Sequence, residues 1–127
     1  MNLLLDTHSF IWWDAEPTRL PRTTLSLLEN ENNVVFLSLA SIWEIQIKAQ
    51  LGKLDLRASL TEIIQQQQQN GIEVLTIQLA HIFALETLPP HHRDPFDRLL
   101  IAQAAIENLT LVSKDSIFSQ YLVRVVW

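Results

Sequence analysis

Leu3-Leu4-Leu5-Asp6-Thr7-His8 is the stretch that decides the fold. Its three consecutive leucines show no polar alternation, so a strand made of them hides both faces from water. Strands covered on both faces belong to parallel sheets with helices packed above and below. A carboxylate follows at once. At the end of such a strand, near the sheet centre, Asp6 is costly to bury unless it is paired or binds a cation.

The pattern repeats outward from there. Residues 34–37, 73–75, 110–112 and 123–126 read as further short apolar strands. Helical spacing of apolar residues marks 9–13, 21–30, 39–50, 60–69, 78–85 and 94–107. Pro89-Pro90 stops any continuation of the fifth of these. The run Gln65 to Gln69 extends the exposed end of a helix whose apolar face is Leu60, Ile63 and Ile64. The alternation predicts an α/β chain: one domain over residues 1–127, with a central, mostly parallel five-stranded sheet flanked by helices.

Composition narrows the function classes. The chain has no cysteine, which excludes disulfides, thiolate metal sites and a cysteine nucleophile. No apolar run approaches the ~20 residues of a membrane span. The first six residues lack the basic segment and long apolar run of a signal peptide, so a cytoplasmic location is expected. A net charge of −5 argues against holding nucleic acid by bulk electrostatics. It leaves room for an enzyme that meets phosphate through bound metal, because a divalent ion reverses the sign of an acidic pocket.

Ligands of open parallel sheets bind outside the carboxyl ends of the strands. Asp6 follows the first strand and Asp115 the fourth, and Asp94 and Asp97 flank the start of the helix between them in sequence. Glu44 lies among Ile42, Trp43 and Ile45; it either faces inward or pairs with Lys48 on a solvated face. Plain structural roles exist for the others. Asp94 before Pro95 is a good N-cap, Asp97 suits the helix dipole, and Asp115 suits a turn. Several converging carboxylates have a chemical use all the same. Mg²⁺ and Mn²⁺ prefer carboxylate oxygens and water, and such ions hold the oxygens of a phosphodiester during hydrolysis.

Four blocks of the chain carry a resemblance. They are Leu3 to His8, the segment from Ser38 to Ile45 with Glu44, the run from His92 to Ala104 through Asp94-Pro95-Phe96-Asp97-Arg98, and Leu109 to Asp115 with Phe118. In this order they resemble PIN-domain proteins of the kind found as toxins in bacterial toxin–antitoxin pairs, the VapC type. The resemblance covers nearly the whole chain. It implies a Rossmann-like parallel sheet and a metal-dependent endoribonuclease using Mg²⁺ or Mn²⁺. It implies Asp6, Glu44, Asp97 and Asp115 as the metal shell, a homodimer, and a small antitoxin that blocks the site with an inserted side chain. Many relatives open this helix with a single aspartate, whereas here Asp94 and Asp97 compete. Asp97 is favoured for its closeness to Leu100-Ile101-Ala102, leaving Asp94 to cap the helix or to bind metal through water.

The expected reaction is attack of metal-generated hydroxide on phosphorus, leaving a 5′-phosphate and a 3′-hydroxyl. Arg98, Lys114 and Ser113 are the residues expected on the substrate side. For Arg98 and Lys114 solvated surface charge is the equal alternative. Ser113 reads first as an ordinary strand-end serine, and second as a hydrogen-bond donor orienting a carboxylate. His91 and His92 read as a polar loop after the prolines. Phe10 to Trp13 reads as core or as a patch covered by another chain. A non-catalytic PIN-like binding module is the competing class. An aspartyl phosphatase is disfavoured because no second aspartate stands two residues after Asp6, and a phospho-receiver because the last strand ends without lysine.

Overall fold

The computed structural model describes residues 1–127. β1 (Asn2–Leu5) lies at the centre of the sheet. It pairs in parallel with β2 (Val34–Ser38) on one side, Leu4 facing Phe36. On the other side it pairs in parallel with β4 (Thr110–Val112), Leu4 facing Leu111. β3 (Glu73–Leu75) extends the sheet beyond β2, and β5 (Val125–Val126) beyond β4. The order is β3-β2-β1-β4-β5, with every pairing parallel. From β1 the chain winds outward through β2 to β3, then returns across β1 to add β4 and β5. That reversal opens a crevice between β1 and β4 at their carboxyl ends, the place where open α/β sheets bind ligands.

The central strand is buried on both faces, as its leucines predict: Leu3, Leu4 and Leu5 are each 0% exposed. Leu3 and Leu5 point one way, into a core with Phe10, Leu28, Val35, Leu37, Ile45 and Ile63. These neighbours come from α1 (Thr7–Ala15), α2 (Arg22–Glu29), β2, α3 (Leu39–Gln50) and α4 (Leu60–Gln69). Leu4 points the other way, against Leu100, Ile101, Ala104, Leu111 and Phe118. That second layer is built on α6 (Pro95–Glu107), and α5 (Leu79–Ala84) packs against α6. No helix is long and apolar enough to cross a membrane.

Two strands pass almost directly into helices on the crevice side. Asp6 caps α1, accepting the Ser9 N–H at 2.8 Å, and Ser38 caps α3. α6 also starts there, with Asp94 as its cap and Pro95 in its first turn. The positive ends of these helix dipoles therefore face the carboxylates that follow the strands. α6 ends on Asn108 in the left-handed region at φ 55°, a conformation asparagine tolerates.

Some boundaries differ from expectation. α1 starts at Thr7 rather than at residue 9 and ends at Ala15 rather than 13, because Asp6 supplies the cap and Trp12 and Trp13 pack half-buried against the core. α2 is Arg22–Glu29 rather than 21–30, with Pro21 and Asn30 as caps. α5 loses its cap residues in the same way. β5 keeps Val125–Val126 of the expected 123–126. Gln67 is buried, not exposed: it accepts from Trp13 Nε1 and donates to Asp14, locking α4 onto α1.

Since Leu4 is enclosed between β2, β4 and α6, Leu4→Ala should leave a cavity and lower unfolding stability by about 3 kcal/mol. Urea denaturation should report that loss without a change in slope.

Candidate active site

Burial explains most of the chemistry at the crevice. Asp6 is only 6% exposed. Its Oδ1 accepts the Ser9 N–H, and its Oδ2 accepts the Ser113 hydroxyl at 2.5 Å. Ser113, at the end of β4, also accepts the Asp115 N–H at 3.0 Å. It is therefore an orienting donor to a carboxylate, the second of its two expected roles. Asp115 divides its oxygens. Oδ1 accepts the Ile117 N–H, capping the 3-10 turn Ser116–Gln120, and Oδ2 faces the crevice.

Glu44 combines both of its expected readings. It is buried on the inner face of α3, 5% exposed, and still pairs with Lys48 one turn on, at 2.9 Å. Thr7 fixes its other oxygen, donating to Oε1 at 2.6 Å. Asp94 and Asp97 separate clearly. Asp94 accepts the N–H groups of Phe96 and Asp97 at 2.8 and 3.1 Å, so it is the cap of α6. Asp97 turns toward the crevice.

There Asp97 meets His92, which sequence reading assigned to a polar loop. His92 Nε2 lies 3.1 Å from Asp97 Oδ2 and 3.0 Å from Asp115 Oδ2. Its Nδ1 accepts the backbone N–H of Asp94 at 3.2 Å. A backbone N–H can only donate, so the ring hydrogen sits on Nε2, aimed between the two carboxylates. These three side chains are close enough to share one ion, with ligand atoms within 4.8 Å of each other. Nε2 is occupied by its hydrogen, however, so the carboxylates are the better donors and His92 is the group that holds them.

The loop carrying His92 is pinned from two sides. Tyr121 accepts the His92 N–H at 2.7 Å and donates to the Pro89 carbonyl at 2.8 Å. Arg98 donates to the carbonyls of Leu88, Pro89 and His92. Arg98, expected either on the substrate side or as solvated surface charge, is thus not a free surface cation: its guanidinium engages backbone oxygens. Lys114, in contrast, is exposed beside Asp115.

The electrostatic result is strongest at Asp97, whose carboxyl is pushed from 3.8 up to about 8. Burial is the main cause, followed by the charges of Asp94, Asp6, Glu44 and Asp115. Burial also raises Asp6, against the lowering effect of its hydrogen bonds from Ser113 and Ser9. Crowded, buried carboxylates that resist joint ionisation are a donor set suited to a hard divalent cation, which neutralises them and uses oxygen ligands.

Known proteins share this architecture. The model of the PIN domain matches residues 3–122. Ribonuclease VapC22 of Mycobacterium tuberculosis is 29% identical over 116 residues, spanning 90% of this chain and 87% of that protein. VapBC2 from Rickettsia felis, solved bound to a DNA fragment from its promoter, aligns with TM-score 0.75 at 18% identity, covering 99% of this chain and 98% of that one. DNA-bound VapBC from Salmonella typhimurium aligns with TM-score 0.69 at 12% identity, covering 99% and 97%. At these identities the solved structures establish a shared fold.

Without cation, the raised carboxyls make the protein less stable as pH rises. From about pH 4 to about pH 8 the unfolded chain has released the Asp97 proton while the folded chain keeps it, so stability falls across that window. Asp97→Asn should flatten the dependence and make the metal-free protein more stable than wild type at the alkaline end. Urea unfolding in EDTA across this range checks both; an unchanged pH profile in the variant would contradict the assignment.

Proposed function

Because the chain belongs to the PIN-domain family, we propose that it is a metal-dependent endoribonuclease of the VapC toxin type, the whole chain forming one such domain. The observation that carries this reading is the gathering of Asp6, Glu44, Asp94 and Asp115 around a largely buried Asp97; burial first, and these charges after it, push the Asp97 carboxyl to about 8. A protein gains nothing in stability from such a cluster. An enzyme that must hold a cation against a phosphodiester gains its site.

In this proposal Asp6, Asp97 and Asp115 hold the ion, Mg²⁺ or Mn²⁺, with Glu44 beside them directly or through water. When bound, the ion would supply Lewis-acid activation of a phosphate oxygen and lower the pKa of a water. The remaining work belongs to the chain. Ser113 fixes the rotamer of Asp6, and Thr7 and Lys48 fix Glu44. His92 keeps Asp97 and Asp115 side by side, so that the site does not reorganise when substrate arrives. Asp94 shapes the start of α6 and adds its charge to the cluster. Lys114 stands at the rim, available to a substrate phosphate. Hydrolysis leaves a 5′-phosphate and a 3′-hydroxyl. A cognate antitoxin that covers the site, and a homodimer, complete the reading. The likeness of fold to toxin–antitoxin complexes supports the first of these.

The test is cleavage of a defined single-stranded RNA with Mn²⁺, with Mg²⁺ and with excess EDTA. Wild type should cleave only with metal, and Asp6→Ala should lose at least about a hundredfold in rate while remaining folded. Equal cleavage by Asp6→Ala would sink the scheme. Folded protein that never cleaves, on any RNA offered, would favour a PIN-like binding module. His92→Ala should lose about tenfold to a hundredfold in metal affinity or rate, as supporting residues of metal sites do. His92→Gln, which can still donate toward the carboxylates, should recover part of it.

A further inference from the structure

α3 and α6 bring Glu44 and Asp97 to the crevice from distant parts of the chain, and each acid has its own local support. Thr7 and Lys48 hold Glu44, and His92 holds Asp97. None of these contacts fixes α3 against α6. Two others do. At depth, Gln103 of α6 accepts the Ser38 hydroxyl at 2.6 Å, and Ser38 accepts the Ala40 N–H as the cap of α3. At the mouth, the Trp43 and Phe96 rings meet edge-on, with centroids 5.5 Å apart. Phe96, Leu100 and Gln103 stand at i, i+4 and i+7, so they form one stripe of α6. The two contacts run in opposite senses along the helices, Ser38 against Gln103 and Trp43 against Phe96. In that register Glu44 lies opposite the first turn of α6, where Asp97 stands.

Gln103 is a costly residue with which to pack a helix. It is 0% exposed, on a face otherwise made of Leu100, Ile101 and Ala104. Burying its amide costs desolvation and rotamer freedom that an apolar side chain would largely keep. Complete pairing offsets the first of these. Oε1 takes the Ser38 hydroxyl hydrogen, and Nε2 donates at 3.2 Å to the carbonyl of Thr76, just past β3. His81, also 0% exposed, stands 3.5 Å from Nε2, but its Nδ1 already accepts the Gln78 N–H. A buried network whose members are all paired holds its elements in one arrangement. Here those elements are the ends of β2 and β3, the start of α3 and the second half of α6. The aromatic contact is of the opposite kind. Trp43 is 59% exposed and belongs to neither core layer, so its contact with Phe96 closes only the outer end of the same helix pair.

We propose that Gln103 and the Trp43–Phe96 pair are positioning residues, a two-point clamp that fixes the spacing of Glu44 and Asp97 and thereby the size of divalent cation the crevice accepts. A small ion such as Mg²⁺ demands near-ideal geometry at about 2.0–2.1 Å from its oxygens, whereas Ca²⁺ accepts flexible shells at about 2.3–2.6 Å. Carboxylates held at one spacing favour the smaller ion, and a loosened pair lets in the larger one. The clamp rests on the cation site proposed above, and not on the cleavage of RNA.

The test is calorimetric titration of Mn²⁺ and, separately, of Ca²⁺ into the RNA-free protein, read as the ratio of the two affinities. Both ions bind the folded chain, so a variant that merely lowers the folded fraction moves the two affinities together and leaves the ratio where it was. Wild type should prefer Mn²⁺, the smaller ion. Gln103→Met, which keeps the length of the side chain and loses the amide, should lower the ratio about tenfold. Trp43→Ala, at an exposed position with little risk to folding, should lower it in the same direction. Leu28→Ala, in α2 and in the core layer that holds Leu3 and Leu5, should lose stability and keep the ratio within about twofold. An unchanged ratio in either clamp variant that folds, an equal drop in Leu28→Ala, or a wild-type preference for Ca²⁺ would overturn the clamp. Binding of neither ion by wild type would overturn the cation site and the clamp with it. The clamp and the nuclease fail separately. Metal-dependent cleavage by a protein whose ratio ignores both substitutions would retain the nuclease and reject the clamp. A ratio that depends on Gln103 and Trp43, without cleavage of any RNA, would retain the clamp and reject the nuclease.

Discussion

The burial and crowding of carboxylates at one crevice are the constraint around which this molecule is built. Asp6, Glu44, Asp94 and Asp115 come from the end of β1, α3, the cap of α6 and the turn after β4, yet their charges all act on one carboxyl, that of Asp97, which burial has already raised. Asp6 and Glu44 are shut away from water, while the Asp115 side chain stays 37% exposed. Here the surroundings reduce the cost without removing it. Helix N-termini face the crevice, Ser113 and the Ser9 N–H take both oxygens of Asp6, and Thr7 with Lys48 takes Glu44. The residual unfavourable charge is what a dication would neutralise.

The sheet makes this convergence possible. Burial of Leu3, Leu4 and Leu5 on both faces leaves β1 no freedom to shift register, so Asp6 is delivered to one point at its end. The neighbouring β4 brings Ser113 to the same level, where its hydroxyl meets Asp6 across 107 positions of sequence. On the far side of the crevice the supports are less regular. Arg98 and Tyr121 hold a proline-containing loop by its carbonyls and the His92 N–H, and the loop presents His92 to Asp97 and Asp115. The result is a set of acids gathered at one crevice, with polar residues holding them from behind.

Much of this was legible in the sequence because local physics decides it. Apolar runs marked the strands at 3–5 and 34–37 and, after the polar openings Glu73 and Thr110, those at 73–75 and 110–112, and Asp94-Pro95 marked the start of α6. The apolar neighbours of Glu44 allow an inward position, but they do not decide it against a solvated pair with Lys48; the contact with Thr7 does. Other features depend on partners far away in the chain. His92 looks like one of a pair of loop histidines until Asp115, Tyr121 and the Asp94 N–H are brought beside it. Arg98 looks like a free cation until the loop folds its carbonyls onto it. The prolines before His91 and His92 were the available hint, since a rigid entry suits a side chain that must be held in one place. Gln67 was hidden by the glutamine run around it, whose other members share its chemistry but not its contact with Trp13 and Asp14.

The central claim is that the crowded carboxylates are kept for a divalent cation, and calorimetric titration of Mn²⁺ into the RNA-free protein tests it most directly. Repeating the titration near neutral pH, in buffers of different ionisation enthalpy, counts the protons released on binding. With Asp97 pushed up to about 8, the metal-free site holds its proton at neutral pH. The account therefore predicts saturable binding accompanied by release of about one proton per site, lost in Asp97→Asn. Binding without proton release, or no binding, would contradict it.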